Sequence, residues 1–495
     1  MSGFKTISIE PVTRLEGHAK IVIFQDEKGE VKNAYLQIPE LRGFERFCEG
    51  RKAEDLPQLL SRICGVCPVA HHLASTKALD TAFCVDPPPA AKKLRELMYS
   101  GYFMYDHILH FYFLAAPDFV VGPDAPPEER NIFGMIKKVG LNVAKEVIKH
   151  RAYGQKITEI IGGKATHPVC GLPGGMSKPL TEEERKEIEK IAKSYIEFAK
   201  FSLKLFDDVV LKNKKYIDLI MSDAYTLKTY YMGLVDRNNK VNFYDGKIRV
   251  VNPGGQEFVK FDPSEYLDII EEHVEEWSYV KLPYLKKIGW KGLRDGPSSG
   301  VYRVGPLARL NAADGMATPL AQQEYERMYE TLGGKPVHST LAFHWARLIE
   351  ILYAAERCLD LSQDEEITSK EIRNEPGTPG EGIGIVEAAR GTLIHHYNLN
   401  EEGLTEKVNL IVPTTSNNPS ICMSVRDAAK GLIHGKEVSE GLLNMVEMAL
   451  RAYDPCIACA SHCHIGDLPL EIKIYDDSRS LIKTVVREPL GFKHF

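Results

Sequence analysis

Two cysteine pairs set the strongest constraint on how this chain can fold. Cys64 and Cys67 form one C-x-x-C, and Cys456 and Cys459 form the other. Two such pairs invite the reading of four thiolates around one metal. Cys67 and Cys456, however, lie 389 positions apart (456 − 67). A zinc ribbon closes a short loop, and its metal folds a small unit. Here a shared metal would draw together opposite ends of a large domain, which suits a functional centre better than a local staple. Spacing alone leaves structural zinc open.

The other six cysteines (48, 84, 170, 358, 422 and 463) are scattered, and most fit as small buried hydrophobes. Ten in 495 residues are too few for a disulfide scaffold. With 62 Lys and Arg against 68 Asp and Glu, the net charge is -6, which gives no electrostatic case for binding nucleic acid. A hydrophobic content of 44% and a charged content of 26% exclude disorder as the main state. No stretch has the roughly 18 unbroken apolar residues of a membrane helix. Met1 to Glu10 has no apolar core of signal-peptide length.

The pattern predicts strands at 20–24 and 31–38, then helices from about Leu56, interrupted near Pro68 and Pro87 to Pro89. Residues 90–116 read as one long helix, apolar on most sides and ending before Pro117. Thr181 to Glu184 is a capping box opening a helix that runs to about Leu211. Strands are expected within 225–251 and at 408–412. Helices are expected at 316–332, 340–361 and 436–452, and a loop at 375–384. Residues 470–486 read as a hairpin turning at Asp476-Asp477. The fold class is therefore mainly α (α+β). It is one large domain around a long-helix bundle with peripheral β-strands.

The surroundings of the cysteines are specific. The first pair lies in Arg62-Ile63-Cys64-Gly65-Val66-Cys67-Pro68-Val69-Ala70-His71, the second in Asp454-Pro455-Cys456-Ile457-Ala458-Cys459-Ala460-Ser461-His462. Five further segments accompany them in order: Glu10 to His18, Arg42-Gly43-Phe44-Glu45, Asp106-His107 with His110-Phe111-Tyr112, Glu387-Ala388-Ala389-Arg390-Gly391, and Val412-Pro413-Thr414-Thr415. Together these resemble the catalytic large subunit of nickel–iron hydrogenases, over nearly the whole chain. The Glu10 to His18 and Pro68 to His72 segments most resemble the cytoplasmic, bidirectional group, linked to heterodisulfide reductase (the deazaflavin-non-reducing type) or to NAD.

The resemblance implies a nickel–iron centre whose iron carries carbon monoxide and cyanide. Cys64 and Cys456 would be terminal ligands of nickel, and Cys67 and Cys459 would bridge nickel to iron. Soft thiolates suit redox-active nickel. The implied reaction is reversible heterolytic cleavage of dihydrogen, with Glu16 carrying the proton from beside the Cys456 sulfur. Arg390 would sit over the metals, held by Asp106 and Asp454. Ala389 stands where many members have proline, and Ser416 where many have tryptophan. Glu45, His462 and a backbone carbonyl near Ile411 would bind magnesium or iron. Arg62, His71 and His167 read equally as buried hydrogen-bonding groups or as functional ones.

The implied partners are an iron–sulfur small subunit together with a heterodisulfide reductase or flavin/NAD module. The remaining cysteines are too scattered to hold a cluster in this chain. Nickel-insertion chaperones and a maturation endopeptidase are also implied. On this reading residues 1–462 are the catalytic domain, and residues 463–495 are an extension removed by cleavage between His462 and Cys463. While attached, the tail would hold Cys456 and Cys459 open and leave His462 free to lie out of ligand position. One alternative is a dihydrogen-sensing regulatory subunit, against which the tail speaks. The other is a complex I-type electron-transfer subunit, against which the four cysteines speak.

Overall fold

Pro89–Ile108 is the central helix of the fold. Proline at its start needs no N–H partner, and from Ala90 onward nearly every residue is buried. It packs against Leu141–Gly162 and Phe343–Gln363, and Phe343–Gln363 packs in turn on Glu182–Phe206. The computed structural model describes residues 5–275, 277–462, 470–478 and 480–487. One hydrophobic core runs from Val12 to Ala460 and so takes in both ends of the described body. No described helix is long and apolar enough to cross a membrane.

The expected helix over 90–116 does not stop before Pro117. Its last part, Leu109–Ala115, widens into a π-helix, and Pro117–Val120 continues as a short helix. The Ala116 N–H donates five residues back, to Phe111, at 2.8 Å. Pro117 has no N–H to donate and sits at the start of the next helix, where none is needed. The capping box holds: Glu184 N donates to Thr181 Oγ1 at 3.2 Å, and Thr181 N donates to Glu184 Oε2 at 2.9 Å.

Two elements depart from the expectation. Residues 381–384 fall in the expected loop, but they open the strand Glu381–Ala388. That strand pairs with Gly391–Leu399, which pairs with Thr405–Ile411. Gly382 and Gly384 lie directly against the helix Pro68–Ala82. A Cβ on either would stand 2.1 Å from a helix carbonyl, Ala78 O or Ala74 O. The glycines mark a close backbone approach, not a break. The second is Pro413–Leu432, a buried helix that the sequence pattern does not anticipate, its first half (residues 413–420) made of poor helix formers with Pro419 among them. Burial overrides propensity there.

The N-terminal strands Lys5–Ile9, Lys20–Gln25 and Val31–Gln37 form an antiparallel sheet. Tyr230–Val235 and Lys247–Val251 pair antiparallel within the expected 225–251 region. The helices Pro319–Thr331 and Glu440–Arg451 fall where expected. Leu470–Tyr475 and Leu481–Arg487 form the terminal hairpin, and the Asp476 carboxylate accepts the N–H of Ser478 and Ser480 at its turn.

Candidate metal centre

Both cysteine pairs use the same local device. Cys64 is extended, just after the turn Ser61–Ile63, and Cys67 opens the helix Pro68–Ala82. Cys456 is extended, and Cys459 lies in the short helix Ile457–Ala460. Each pair thus has one sulfur on a loop and one on the first turn of a helix. Asp454, just before the second pair, holds φ at 56°, a left-handed conformation uncommon for a residue with a side chain.

The fold brings the pairs together. All four sulfurs lie within 4.8 Å of one another, and all four residues are buried. Cys456 Sγ is 2.8 Å from Cys459 Sγ and 3.3 Å from Cys64 Sγ, and Cys67 Sγ is 3.3 Å from Cys459 Sγ. All four are free thiols. Hydrogen bonds from its neighbours hold the Cys64 thiol well below its usual pKa. Burial pushes the Cys456 and Cys459 thiols well above theirs. Sulfurs this close cannot all ionise unless a cation lies among them. Four buried, convergent soft donors therefore fit a thiophilic redox metal.

Arg42 braces the two halves. Its Nη1 donates to Ile63 O at 2.6 Å and to Ala458 O at 3.1 Å, so one guanidinium ties both cysteine segments. The sequence motif draws attention to Glu45 of that segment and not to this arginine.

Glu16 reaches the centre from the N-terminal region. Its backbone carbonyl accepts the Ile457 N–H at 3.0 Å. Its carboxylate Oε2 accepts from the Cys456 thiol at 3.0 Å and from the Ala458 N–H at 3.0 Å. Burial raises the Glu16 pKa above the usual carboxylate range, and the charge of Cys64 pushes the same way.

Arg390 lies at the tip of the hairpin formed by Glu381–Ala388 and Gly391–Leu399. It donates to Asp106 Oδ2 at 3.2 Å and to Asp454 Oδ1 at 3.0 Å. Burial opposes its charge, but the two carboxylates outweigh that and hold its pKa well above the usual value. A cavity of about 10 Å³ is lined by Arg390, Cys67, Cys456 and Cys459, with Leu393 and Pro413 supplying apolar walls. That is room for about one water-sized group.

His71 is buried, and its Nε2 lies 3.4 Å from Cys459 Sγ. Behind it a chain continues: His71 Nδ1 to His395 Nε2 at 3.1 Å, and His395 Nδ1 to Tyr397 OH at 2.6 Å. Burial lowers the His71 pKa to about 4, so its ring is neutral at pH 7. His395 and Tyr397 escape a reading of the sequence because they alternate along a strand without a motif of their own. Arg62 is exposed, and His167 is half-buried with Nδ1 3.0 Å from Ser61 O.

Glu45 and His462 also meet. His462 is fully buried, with Nε2 3.6 Å from Glu45 Oε1 and 2.5 Å from a backbone carbonyl. That carbonyl belongs to Leu410, not to the expected Ile411. Both Leu410 and Ile411 pair with the adjoining strand, opposite His395 and Ile394, and the Leu410 N–H donates to Glu45 Oε1 at 2.9 Å. Strand geometry turns successive carbonyls to opposite sides, so Leu410 O and not Ile411 O faces His462. In the full-length chain His462 lies beside Glu45 and not out of position, and the Cys456 and Cys459 sulfurs are 2.8 Å apart and not held open. Thr414 Oγ1 accepts the Cys456 N–H at 2.9 Å, and His462 Nδ1 is 2.6 Å from Cys459 O, which pins both sides of the pair. Cys463 lies outside the described residues.

Comparison with known proteins agrees with this geometry. Residues 42–126 and 297–462 match the nickel-dependent hydrogenase family, and residues 6–41 match a HoxL-like family. The chain is 50% identical over 483 residues to an F420-non-reducing hydrogenase iron-sulfur subunit of Archaeoglobus profundus, covering 97% of this chain and 99% of that one. It is 37% identical to the NAD-reducing hydrogenase HoxS subunit beta of Cupriavidus necator, covering 97% of this chain and 99% of that one. Among solved structures, an NAD+-reducing [NiFe]-hydrogenase in the H2-reduced state superposes with a TM-score of 0.87 at 38% identity, over 92% of this chain and 99% of that one. The Ni-Fe-Se hydrogenase of D. vulgaris Hildenborough superposes at 0.72 with 25% identity, over 93% and 100%. The four buried thiols and these matches agree: the chain belongs to the nickel-dependent hydrogenase family, as the catalytic large subunit of a nickel–iron enzyme.

Proposed function

We propose that this protein cleaves dihydrogen heterolytically and reversibly, and that the four cysteines, Glu16 and Arg390 divide the work. The single observation carrying this reading is the convergence of four buried sulfurs with a carboxylate 3.0 Å from one of them. When bound, the nickel–iron group supplies the Lewis-acid and redox chemistry that splits dihydrogen. The cavity beside Arg390 touches Cys67, Cys459 and Cys456 but not Cys64. Cys64, Cys67, Cys456 and Cys459 would hold the group, Cys64 and Cys456 as ligands of nickel alone and Cys67 and Cys459 as ligands shared with an iron that carries carbon monoxide and cyanide, the roles that the sequence resemblance implies. Cys456 Sγ passes a proton to Glu16 Oε2. Arg390, oriented by Asp106 and Asp454, directs its charge into the cavity it shares with Cys67, Cys456 and Cys459.

Glu45, His462 and the Leu410 carbonyl would hold a magnesium or iron ion. Electrons leave to an iron–sulfur small subunit, then to a soluble acceptor through a heterodisulfide-reductase or flavin/NAD module. The printed names of an F420-non-reducing and an NAD-reducing relative support an acceptor other than F420, and we place the reaction in the cytoplasm. The test is isotope exchange. The purified complex under deuterium gas in ordinary water should form HD without an electron acceptor, and an absence of HD would contradict heterolytic cleavage.

Nickel-insertion chaperones and an endopeptidase would complete maturation, with residues 463–495 removed after His462. One observation supports removal. The described hairpin exposes Ile472, Ile474, Tyr475, Leu481, Ile482, Val485 and Val486, an apolar surface that mature proteins rarely keep bare. The mature chain should be lighter than 55.6 kDa by about 3.7 kDa, the share of 33 in 495 residues (495 − 462 = 33). Intact-mass measurement decides this, and full activity in the uncleaved chain would refute it.

A further inference from the structure

A side chain at a hairpin tip is only as well placed as the turn that carries it. The turn before Arg390 is held from beneath by one buried guanidinium. Arg309, on the helix Pro306–Ala312, is 0% exposed. An arginine has five N–H donors in a fixed fork, and all five are used here. Nε and one Nη2 hydrogen go to the two carboxylate oxygens of Glu350, each at 2.7 Å. One Nη1 hydrogen goes to Glu387 Oε2 at 2.6 Å. The remaining two go to the carbonyls of Ala388, at 2.8 Å, and Ala389, at 3.1 Å. These are the two residues immediately before Arg390.

The same frame reaches the partner carboxylate. Glu350 also holds His107 Nε2 at 2.8 Å, next in the chain to Asp106. One helical turn earlier, the Tyr102 hydroxyl accepts the Ala389 N–H at 3.2 Å. Tyr99, on the same helix, donates to the Glu387 carbonyl. A proline at position 389 would have no N–H to give. With alanine there, the turn depends on the Tyr102 hydroxyl and the Arg309 guanidinium instead of on a closed ring.

We propose that Arg309 and Tyr102 are positioning residues that set the placement of the Arg390 guanidinium over the cysteine cluster. The proposal rests on the assignment of Arg390 to the reaction. Lysine cannot stand in for Arg309, because an ammonium has three donors and no planar fork. A misplacement of about 1 Å at a reacting centre costs on the order of a hundredfold in rate.

The test is a set of double-mutant cycles in the metal-loaded complex with its electron-transfer subunits, using R309K, Y102F and R390K singly and R309K/R390K and Y102F/R390K. R309K should lower kcat roughly a hundredfold and Y102F roughly tenfold, with KM for dihydrogen and nickel and iron content near wild type. In the R390K background each should cost less than about threefold more, because residues acting as a unit are not additive. The infrared bands of the iron-bound diatomic ligands should shift in Y102F and R309K in the same direction as in R390K. If R309K does not fold, the Y102F cycle alone decides. Full additivity with R390K, an unchanged kcat, or a loss of metal in step with the loss of rate would overturn the proposal. Wild-type turnover in R390K alone would instead remove the Arg390 assignment beneath it.

Discussion

Cys67→Ala or Cys459→Ala is expected to give a folded chain with neither nickel nor iron and with dihydrogen turnover at background. Each of these residues is assigned as a sulfur shared by two metals, so one substitution weakens both sites at once. Four thiols within 4.8 Å of one another are the whole donor set found among the described residues for this centre. The remaining three sulfurs would retain the mutual crowding that disfavours ionisation without a cation. The fold itself should survive. The side chain removed is small, and a buried truncation of this size costs about 1 kcal/mol. Circular dichroism should therefore match wild type while metal analysis shows the loss. Retention of both metals by either variant would show that these cysteines do not bridge.

Glu16→Gln should lower turnover by roughly a hundredfold or more, the usual range for a lost acid–base group. The substitution keeps the shape, and the glutamine carbonyl can still accept the Ala458 N–H that Glu16 Oε2 accepts at 3.0 Å. What it removes is a group able to take and release a proton 3.0 Å from Cys456 Sγ. Nickel and iron content should stay near wild type, because Glu16 is assigned no metal bond. Unchanged turnover would mean that protons leave the centre by another route.

Most of this centre is legible in the sequence because its residues carry chemistry that few positions can supply. The cysteine pairs, Glu16, Arg390 with Asp106 and Asp454, and Glu45 with His462 all meet where the motifs imply. What stays hidden lies one layer behind. Arg309, Glu350 and His395 look ordinary in sequence, and only the fold puts them against the site. The carbonyl that His462 meets is that of Leu410, next to Ile411, and a backbone carbonyl has no side-chain signature in the sequence. Long amphipathic helices such as Glu182–Phe206 are readable from periodicity. Pro413–Leu432 is not, because its first half, residues 413–420, is made of poor helix formers buried by tertiary contacts. Glu381–Ala388 is hidden by glycines that serve a close helix–strand approach.

The central claim is that Cys64, Cys67, Cys456 and Cys459 hold nickel and iron together. Metal analysis of the purified, mature, active chain tests it most directly. The account predicts nickel accompanied by at least an equal amount of iron, with both lost in Cys67→Ala. Zinc alone on the four cysteines, with no nickel, would contradict it.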